Sequence, residues 1–312
     1  MKDWRDYCKL GIVHPQLFPQ CAAGKDSVLE TLTLMVEDGF FNALEITSIA
    51  DPGIRRKSRD LLENNQIHTI FCCAPPILMQ GINLNELDEK KRASHISSMK
   101  RYLDEAVFMG AEIFTLLSGP DPGAEKREAG TKALLLSLEE LCNYAATLDR
   151  NLMLTLETFD RDVDKKRLIG PTVEAVMISQ ALHGLGCDNF GLTLDQAHLP
   201  LLNENAEEAI AEALPYLYHL HLGNCIKCDP DHPLYGDHHP RFGLSQCHLE
   251  LNDLVSFLHA LDRLDFWSGN GDEGQKPVLS FEVKPAMEES SRDTLEKTKE
   301  TWQKAWEKFA SG

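Results

Sequence analysis

The chain has 312 residues, 49 acidic side chains against 31 basic ones, and a formal net charge of −18. Hydrophobic residues make up 43% of it and are spread along its length, so it can bury a sizeable core, which excludes a disordered polymer. The acidic balance, with no basic tract to offset it, argues against a nucleic-acid partner, and no stretch approaches the roughly 18 unbroken apolar residues of a membrane span.

The opening MKDWRDYCKL carries acids where a secretory leader is basic, so no targeting signal is expected and the protein is assigned to the cytoplasm. From there, eight short apolar runs of strand character follow in order, at 8–14, 42–47, 67–74, 111–118, 151–159, 189–198, 217–224 and 277–285. Helical periodicity fills the gaps. The segment 27–39 runs into Gly39, 88–110 ends at Gly110, and 170–186 opens with Pro171 and closes at Gly184 and Gly186. Between them CCAPPILMQGINLNELDEKKR (72–92) predicts a proline-rich loop able to fold over a substrate, and WSGNGDEGQ (267–275) predicts a surface loop. Trp302, Trp306 and Phe309 recur at helical spacing and predict that the last helix packs on the body of the fold.

Eight strand–helix units in this length predict an α/β fold, a single-domain (β/α)8 TIM barrel over residues 1–312, with reactive groups at the C-terminal ends of its strands. A doubly wound open sheet would more readily show a glycine-rich turn after its first strand, where this sequence reads HPQLFPQ. The nine cysteines form no regular framework and predict reduced thiols. The twelve histidines are uneven, seven of them lying between His198 and His248.

Alternation along each strand separates residues that face the helices from residues that face the barrel interior. Leu152, Leu154 and Leu156 point outward and leave Thr155 and Glu157 inward; Leu192 and Leu194 leave Thr193 and Asp195. Leu220 and Leu222 leave His219 and His221, and Leu279, Phe281 and Val283 leave Ser280 and Glu282. Four consecutive strands thus deliver Glu157, Asp195, His221 and Glu282 to one end of one cavity. Three carboxylates in a confined space repel unless a cation or protons intervene. One imidazole among carboxylates suits a single divalent ion, with Mn²⁺ the first expectation and Mg²⁺, Co²⁺ or Zn²⁺ as alternatives.

In these residues the chain resembles the xylose-isomerase-like superfamily of sugar isomerases and epimerases, whose relatives include ketose 3-epimerases and endonuclease IV. LETF with Glu157, LDQAH with Asp195 and His198, HLHLGN with His221 and SFEV with Glu282 are similar to that family's metal-site strands, and NALEI with Glu45 looks like its second-strand signature. The resemblance implies a metal held by Glu157, Asp195, His221 and Glu282. It further implies that Glu157 and Glu282 act as acid and base on a keto-sugar, through a metal-stabilised enediolate. His198 would touch a substrate oxygen, and Glu45, His68, Arg241 and Lys284 complete the expected substrate contacts. Arg241 enters because the arginine found shortly after the corresponding histidine in ketose 3-epimerases is missing here. Lys284 suits an acidic or phosphorylated substrate, or else pairs with Glu282.

The loop 225–243 raises further readings. Cys225 and Cys228 form a C-x-x-C that, with nearby histidines, could hold a structural zinc. Asp237 and His239 match the Asp-x-His pair that binds further metals in endonuclease IV relatives, with His14, His68 and Glu45 as the available remaining ligands. The partner expected overall is a small carbohydrate, with no nucleic acid and no membrane, and a homo-oligomer stays open. A lyase or dehydratase of the same superfamily on a keto-polyol is the main alternative, since it shares the proton abstraction. A repair nuclease is disfavoured by the charge of −18. A non-enzymatic sugar-binding role is disfavoured by the presence of all four ligands.

Overall fold

The computed structural model describes residues 3–24, 27–149, 151–268 and 276–312. Most of the loop expected at 267–275 lies outside the described residues. Eight strands form in the expected order: β1 (Lys9–Val13), β2 (Ala43–Ile46), β3 (His68–Cys72), β4 (Ala111–Leu117), β5 (Met153–Glu157), β6 (Phe190–Asp195), β7 (Leu217–Leu222) and β8 (Val278–Phe281). Each pairs in parallel with the next, and β8 pairs with β1, closing the barrel. The expected TIM barrel is the fold observed.

The helices are α1 (His14–Leu17), α2 (Val28–Asp38), α3 (Pro52–Asn64), α4 (Ala74–Gln80), α5 (Glu89–Phe108), α6 (Arg127–Leu148), α7 (Thr172–Gly184), α8 (His198–Leu202), α9 (Ala206–Ala213), α10 (Leu251–Arg263) and α11 (Ser291–Ser311). Their starts follow from local chemistry. The Asp51 carboxylate accepts from the N–H groups of Gly53 and Ile54, Asp88 from Lys90 and Lys91, and Asn205 from Glu207 and Glu208, satisfying N–H groups that the first turn leaves open. The segment after β3 departs from the proline-rich loop expected there, because residues 74–80 are helical. Pro75 and Pro76 fall in the first turn of α4, where a missing N–H costs nothing, so they start a helix instead of breaking one.

The outward strand residues Leu154, Leu156, Leu192, Leu194, Leu220, Leu222, Leu279 and Phe281 are at most 1% exposed and sit under the helices. Trp302 of α11 lies edge-on to Phe281 and Trp4, with ring centroids 5.9 and 6.2 Å away, so the last helix packs on the barrel as its spacing predicts. Inside the barrel the side chains fall into layers. Ala43, Ile70, Ile113 and Val278, with Met153 against them, form an apolar plug. Above it Thr193 Oγ1 bonds Thr155 Oγ1 at 2.8 Å, and His219 Nε2 bonds Ser280 Oγ at 2.9 Å. A Cβ on Gly11 would lie 2.8 Å from Ser280 Oγ, so glycine there leaves room for that layer. The acids come next, at the C-terminal mouth.

No described helix is long and apolar enough to cross a membrane. All nine cysteines are free, seven of them buried.

Candidate metal centre and substrate mouth

Glu157 ends β5, Asp195 ends β6, His221 is next to last in β7, and Glu282 follows β8 with its N–H bonded to the Leu222 carbonyl at 3.1 Å. Register brings them level: Asp195 sits beside His221, and His221 beside Ser280. One donor atom from each of the four lies within 4.8 Å of all the others. His221 Nδ1 is 3.1 Å from Glu157 Oε1 and 2.8 Å from Glu282 Oε2. All four residues are buried. The four side chains singled out by strand parity therefore converge.

Beneath them, Glu45 on β2 meets the other ring nitrogen of His221, with Oε2 3.0 Å from Nε2. A carboxylate accepts only, so with acids on both ring nitrogens each carries a proton in the imidazolium, and a cation taking the place of the Nδ1 proton would leave the Nε2 proton held by Glu45. Glu45 is fully buried and also accepts from Thr115 Oγ1 at 3.3 Å. It supports the histidine from below instead of touching substrate, which corrects the role expected for it. His219, one layer down, is pushed to a pKa of about 3 by burial and stays neutral.

A second group of donors shares Asp195. His198 Nδ1 donates to the Thr158 carbonyl at 2.6 Å, which turns Nε2 toward Asp237 Oδ1 at 3.1 Å and Asp195 Oδ2 at 3.5 Å. His239 Nε2 lies 2.6 Å from Asp237 Oδ1, and its Nδ1 lies 3.7 Å from Asp195 Oδ2. His239 has φ 49°, a left-handed backbone that non-glycine residues rarely adopt, and the Lys284 N–H holds its carbonyl at 2.8 Å. Lys165 Nζ clamps the Asp237 carbonyl and the Asp164 carboxylate, each at 2.7 Å. Gln16 Nε2 donates to Glu282 Oε1 at 2.8 Å.

The electrostatics follow from confinement. Burial pushes the Glu157 carboxyl up to about 7. For Glu282 burial works in the same direction, but the positive charges of His239 and His221 outweigh it and hold the carboxyl below its usual range. Burial likewise opposes the charged form of His221, and the Glu45, Glu157 and Glu282 carboxylates outweigh it, so its pKa stands well above the ordinary histidine value. Imidazolium charge thus balances the acids. Asp195 Oδ2 and His239 Nδ1 are nonetheless buried without a hydrogen-bond partner. A Cβ on Gly223 would come within 2.9 Å of His239 Nδ1 and 3.0 Å of Asp195 Oδ1, into space these donors face. A partnerless Asp195 oxygen, together with the O,O,O,N set of Glu157, Asp195, Glu282 and His221, fits a divalent cation.

The structure moves several expected residues elsewhere. His68 opens β3 at the opposite, N-terminal mouth, where Nδ1 pairs with Glu112 at 2.6 Å. Its parity is inward-compatible, but its position is four residues too early on the strand to reach the acids. Arg241 is committed to Glu289, at 2.6 Å from Nη2, and to the Phe242 carbonyl at 3.0 Å, so it anchors the loop instead of contacting substrate. His14 turns to Thr31 Oγ1 at 2.8 Å, so neither it nor His68 joins Asp237 and His239 in a multi-metal set. Cys225 is buried while Cys228 is exposed and donates to the Gln246 carbonyl, so they form no zinc cluster among the described residues. Lys284 does stand at the mouth. A cavity of about 220 Å³ opens there, lined by the apolar Ala74, Leu78 and Phe159, the basic Lys165, His238 and Lys284, and the Asp237 and Glu282 carboxylates. A cavity of about 230 Å³ at the N-terminal mouth has no comparable convergence, its Lys9 being paired with Glu112 at 2.6 Å.

Gln16 and Lys165 escaped the sequence reading. Neither lies on a strand, so alternation says nothing about where it points.

A sequence model of the family described as Xylose isomerase-like TIM barrel matches residues 35–301. The chain belongs to the xylose isomerase-like TIM barrel family. No curated protein sequence matches it. Among solved structures, this xylose isomerase-like chain is similar to the IOLI protein with a bound zinc atom, at 18% identity and TM-score 0.70, over 96% of this chain and 99% of that one. It is similar to a D-tagatose 3-epimerase-like protein at 16% identity and TM-score 0.68, over 96% and 99%. It is also similar to D-psicose 3-epimerase from Clostridium cellulolyticum H10, in a structure with D-tagatose, at 15% identity and TM-score 0.66, over 97% and 98%. At these identities the likeness concerns the fold.

Proposed function

We propose that the protein is a metal-dependent sugar isomerase or epimerase that removes and returns a proton next to a carbonyl, with Glu157 and Glu282 as the acid–base pair. The observation that carries this reading is the convergence of Glu157, Asp195, His221 and Glu282 within 4.8 Å at the C-terminal mouth. The epimerases among the similar structures support it. Glu157, Asp195, His221 and Glu282 would hold the ion, Mn²⁺ being the first expectation. Bound there, a divalent cation supplies a Lewis acid that lowers the cost of negative charge on the substrate's oxygens.

The chain's own groups do the rest. Glu157 and Glu282 approach His221 Nδ1 from β5 and from the end of β8, strands that lie to either side of β7 in the barrel order, so one carboxylate can take a proton from a sugar carbon while the other delivers one. Gln16 fixes the Glu282 carboxylate through Oε1. His198, its Nδ1 held by the Thr158 carbonyl, directs Nε2 into the cluster and can bond a substrate hydroxyl. Phe159 and Leu78 wall the cavity and reduce access of water.

The test is metal analysis of the purified protein, followed by proton exchange of keto-sugars in deuterated water with and without a chelator. Exchange that a chelator abolishes and Mn²⁺ restores, with Glu157→Gln and Glu282→Gln inactive, is the expected outcome. Full turnover in either variant removes the assigned roles. The mass of the product separates isomerisation from elimination of water.

A further inference from the structure

Three basic side chains, Lys165, His238 and Lys284, stand on one side of the cavity mouth, above an otherwise acidic centre in a chain of net charge −18. The positive charges of Lys165 and Lys284 both bear on His238, which places them around one spot. Their commitments differ. Lys165 is bound to the Asp164 carboxylate and the Asp237 carbonyl. Glu282, the acid nearest to Lys284 in sequence, spends its carboxylate on Gln16, His221 and His239. Among the described residues no carboxylate forms an ion pair with Lys284, whose side chain is exposed at the cavity lip.

The backbone of Lys284 is fixed although its ammonium has no ion-pair partner among the described residues. Its N–H bonds the His239 carbonyl at 2.8 Å, and residue 284 bridges to Pro240, so the side chain starts from a defined point two residues beyond Glu282. A lysine whose main chain is pinned and whose charge has no partner is a ready anchor for an anion.

We propose that the physiological substrate is a ketose bearing one anionic group, a phosphate or a carboxylate, and that Lys284 binds that group at the mouth of the cavity. This rests on the isomerase reading of the same site. Lys165 adds positive potential from the same side, and His238 offers a further ring N–H donor. The apolar lining residues Ala74, Leu78 and Phe159 offer nothing to a charge and suit the C–H face of the sugar. The keto end then lies at the carboxylates and the anionic end at the lip, which orients the sugar for proton removal.

The experiment compares solvent deuterium exchange by the Mn²⁺-loaded protein on D-fructose, D-fructose 6-phosphate and a hexulosonic acid. The anionic ketoses are expected to show kcat/KM at least about tenfold above D-fructose, the scale of one charge-assisted hydrogen bond. Lys284→Met is expected to cut that preference by about 10–100-fold through KM, and Lys284→Arg to recover most of it. Lys304→Met, a lysine exposed on α11, serves as the control and keeps the preference. Selection of the phosphate alone or the carboxylate alone identifies which anion is bound. Exchange on D-fructose with no anionic preference, or a preference untouched by Lys284→Met, overturns the proposal and leaves the isomerase reading standing. Absence of exchange on all three, with Mn²⁺ binding verified, counts against both.

Discussion

Glu45→Gln is the perturbation that tests the centre most directly without removing a ligand. Glu45 Oε2 lies 3.0 Å from His221 Nε2 and 3.5 Å from His219 Nε2, in a fully buried position. The carboxylate fixes the His221 proton on Nε2 and makes Nδ1 the more basic nitrogen. Glutamine keeps the shape and can still accept the N–H through its amide oxygen, but the negative charge is gone, and a flipped amide would present a donor to a donor. Loss of such a supporting partner typically weakens metal binding by about 10–100-fold, or about 1.4–2.7 kcal/mol. Titration of Mn²⁺ into chelator-stripped protein by calorimetry measures the change directly. A thermal melt of the metal-free variant checks that the barrel is intact. A dissociation constant within twofold of the parent protein would refute the argument, as would a holo crystal structure with Nε2 on the ion.

Other outcomes follow from the same geometry. Gly11→Ala pushes a methyl to 2.8 Å from Ser280 Oγ and 3.2 Å from Ala43 Cβ, so urea unfolding should show a loss of about 1–3 kcal/mol, and an unchanged midpoint would mean that the barrel interior relaxes freely. Trp302→Ala empties a fully buried indole site between α11 and the barrel and should cost about 3–5 kcal/mol in the same assay. Burial holds the His14 pKa at about 3, below the ordinary 6.5, so below 6.5 the unfolded chain binds the extra proton and stability falls as pH drops toward 3, by up to about 1.4 kcal/mol per unit. His14→Gln should flatten that limb in urea melts taken between pH 7 and 4, and a limb of the same slope would show that other groups carry it. His68→Ala, at the far mouth in a half-exposed pair with Glu112, should change stability by less than about 1 kcal/mol and leave proton exchange alone; a large loss of exchange would return His68 to the substrate.

The barrel is legible because its strands are written with period two and its helices with period 3.6, and because the irregularities in the β3–β4 and β6–β7 pairings fall before the strand ends that carry the acids. Leu220 and Leu222 point at the helices, so His219 and His221 must point inward, and the structure has them there. Depth was harder to read. Alternation tells which face a residue takes but not how high it sits along the barrel, so by pattern alone His68, at the first position of β3, is indistinguishable from residues that end their strands. Glu45 fails more subtly, since it is inward and near the right level but lies on the far side of the His221 ring. The loop residues fail for another reason. Arg241 was free in the sequence only because its partner Glu289 lies 48 positions on, and no local pattern announces such a pair. The prolines of 74–80 look like helix breakers until their place in the first turn is known.

The layering inside the barrel explains how the fold tolerates its centre. Glu45, Glu157, Asp195, Asp237 and Glu282 are all at most 8% exposed, and isolated buried carboxylates would each cost several kcal/mol. Beneath them the Thr155, Thr193, His219 and Ser280 layer offers hydroxyls and a neutral ring, which solvate negative charge without adding a competing counter-ion. Apart from Lys165, 3.4 Å from Asp237 Oδ2, the positive charge at the level of the acids comes from imidazoles, and imidazoles can give up their protons where guanidinium groups cannot. An arginine at this depth would neutralise the acids permanently. Histidines compensate the cluster while leaving ring nitrogens able to exchange a proton for a cation, so the same side chains that balance the acids would leave the barrel able to take up the proposed ion.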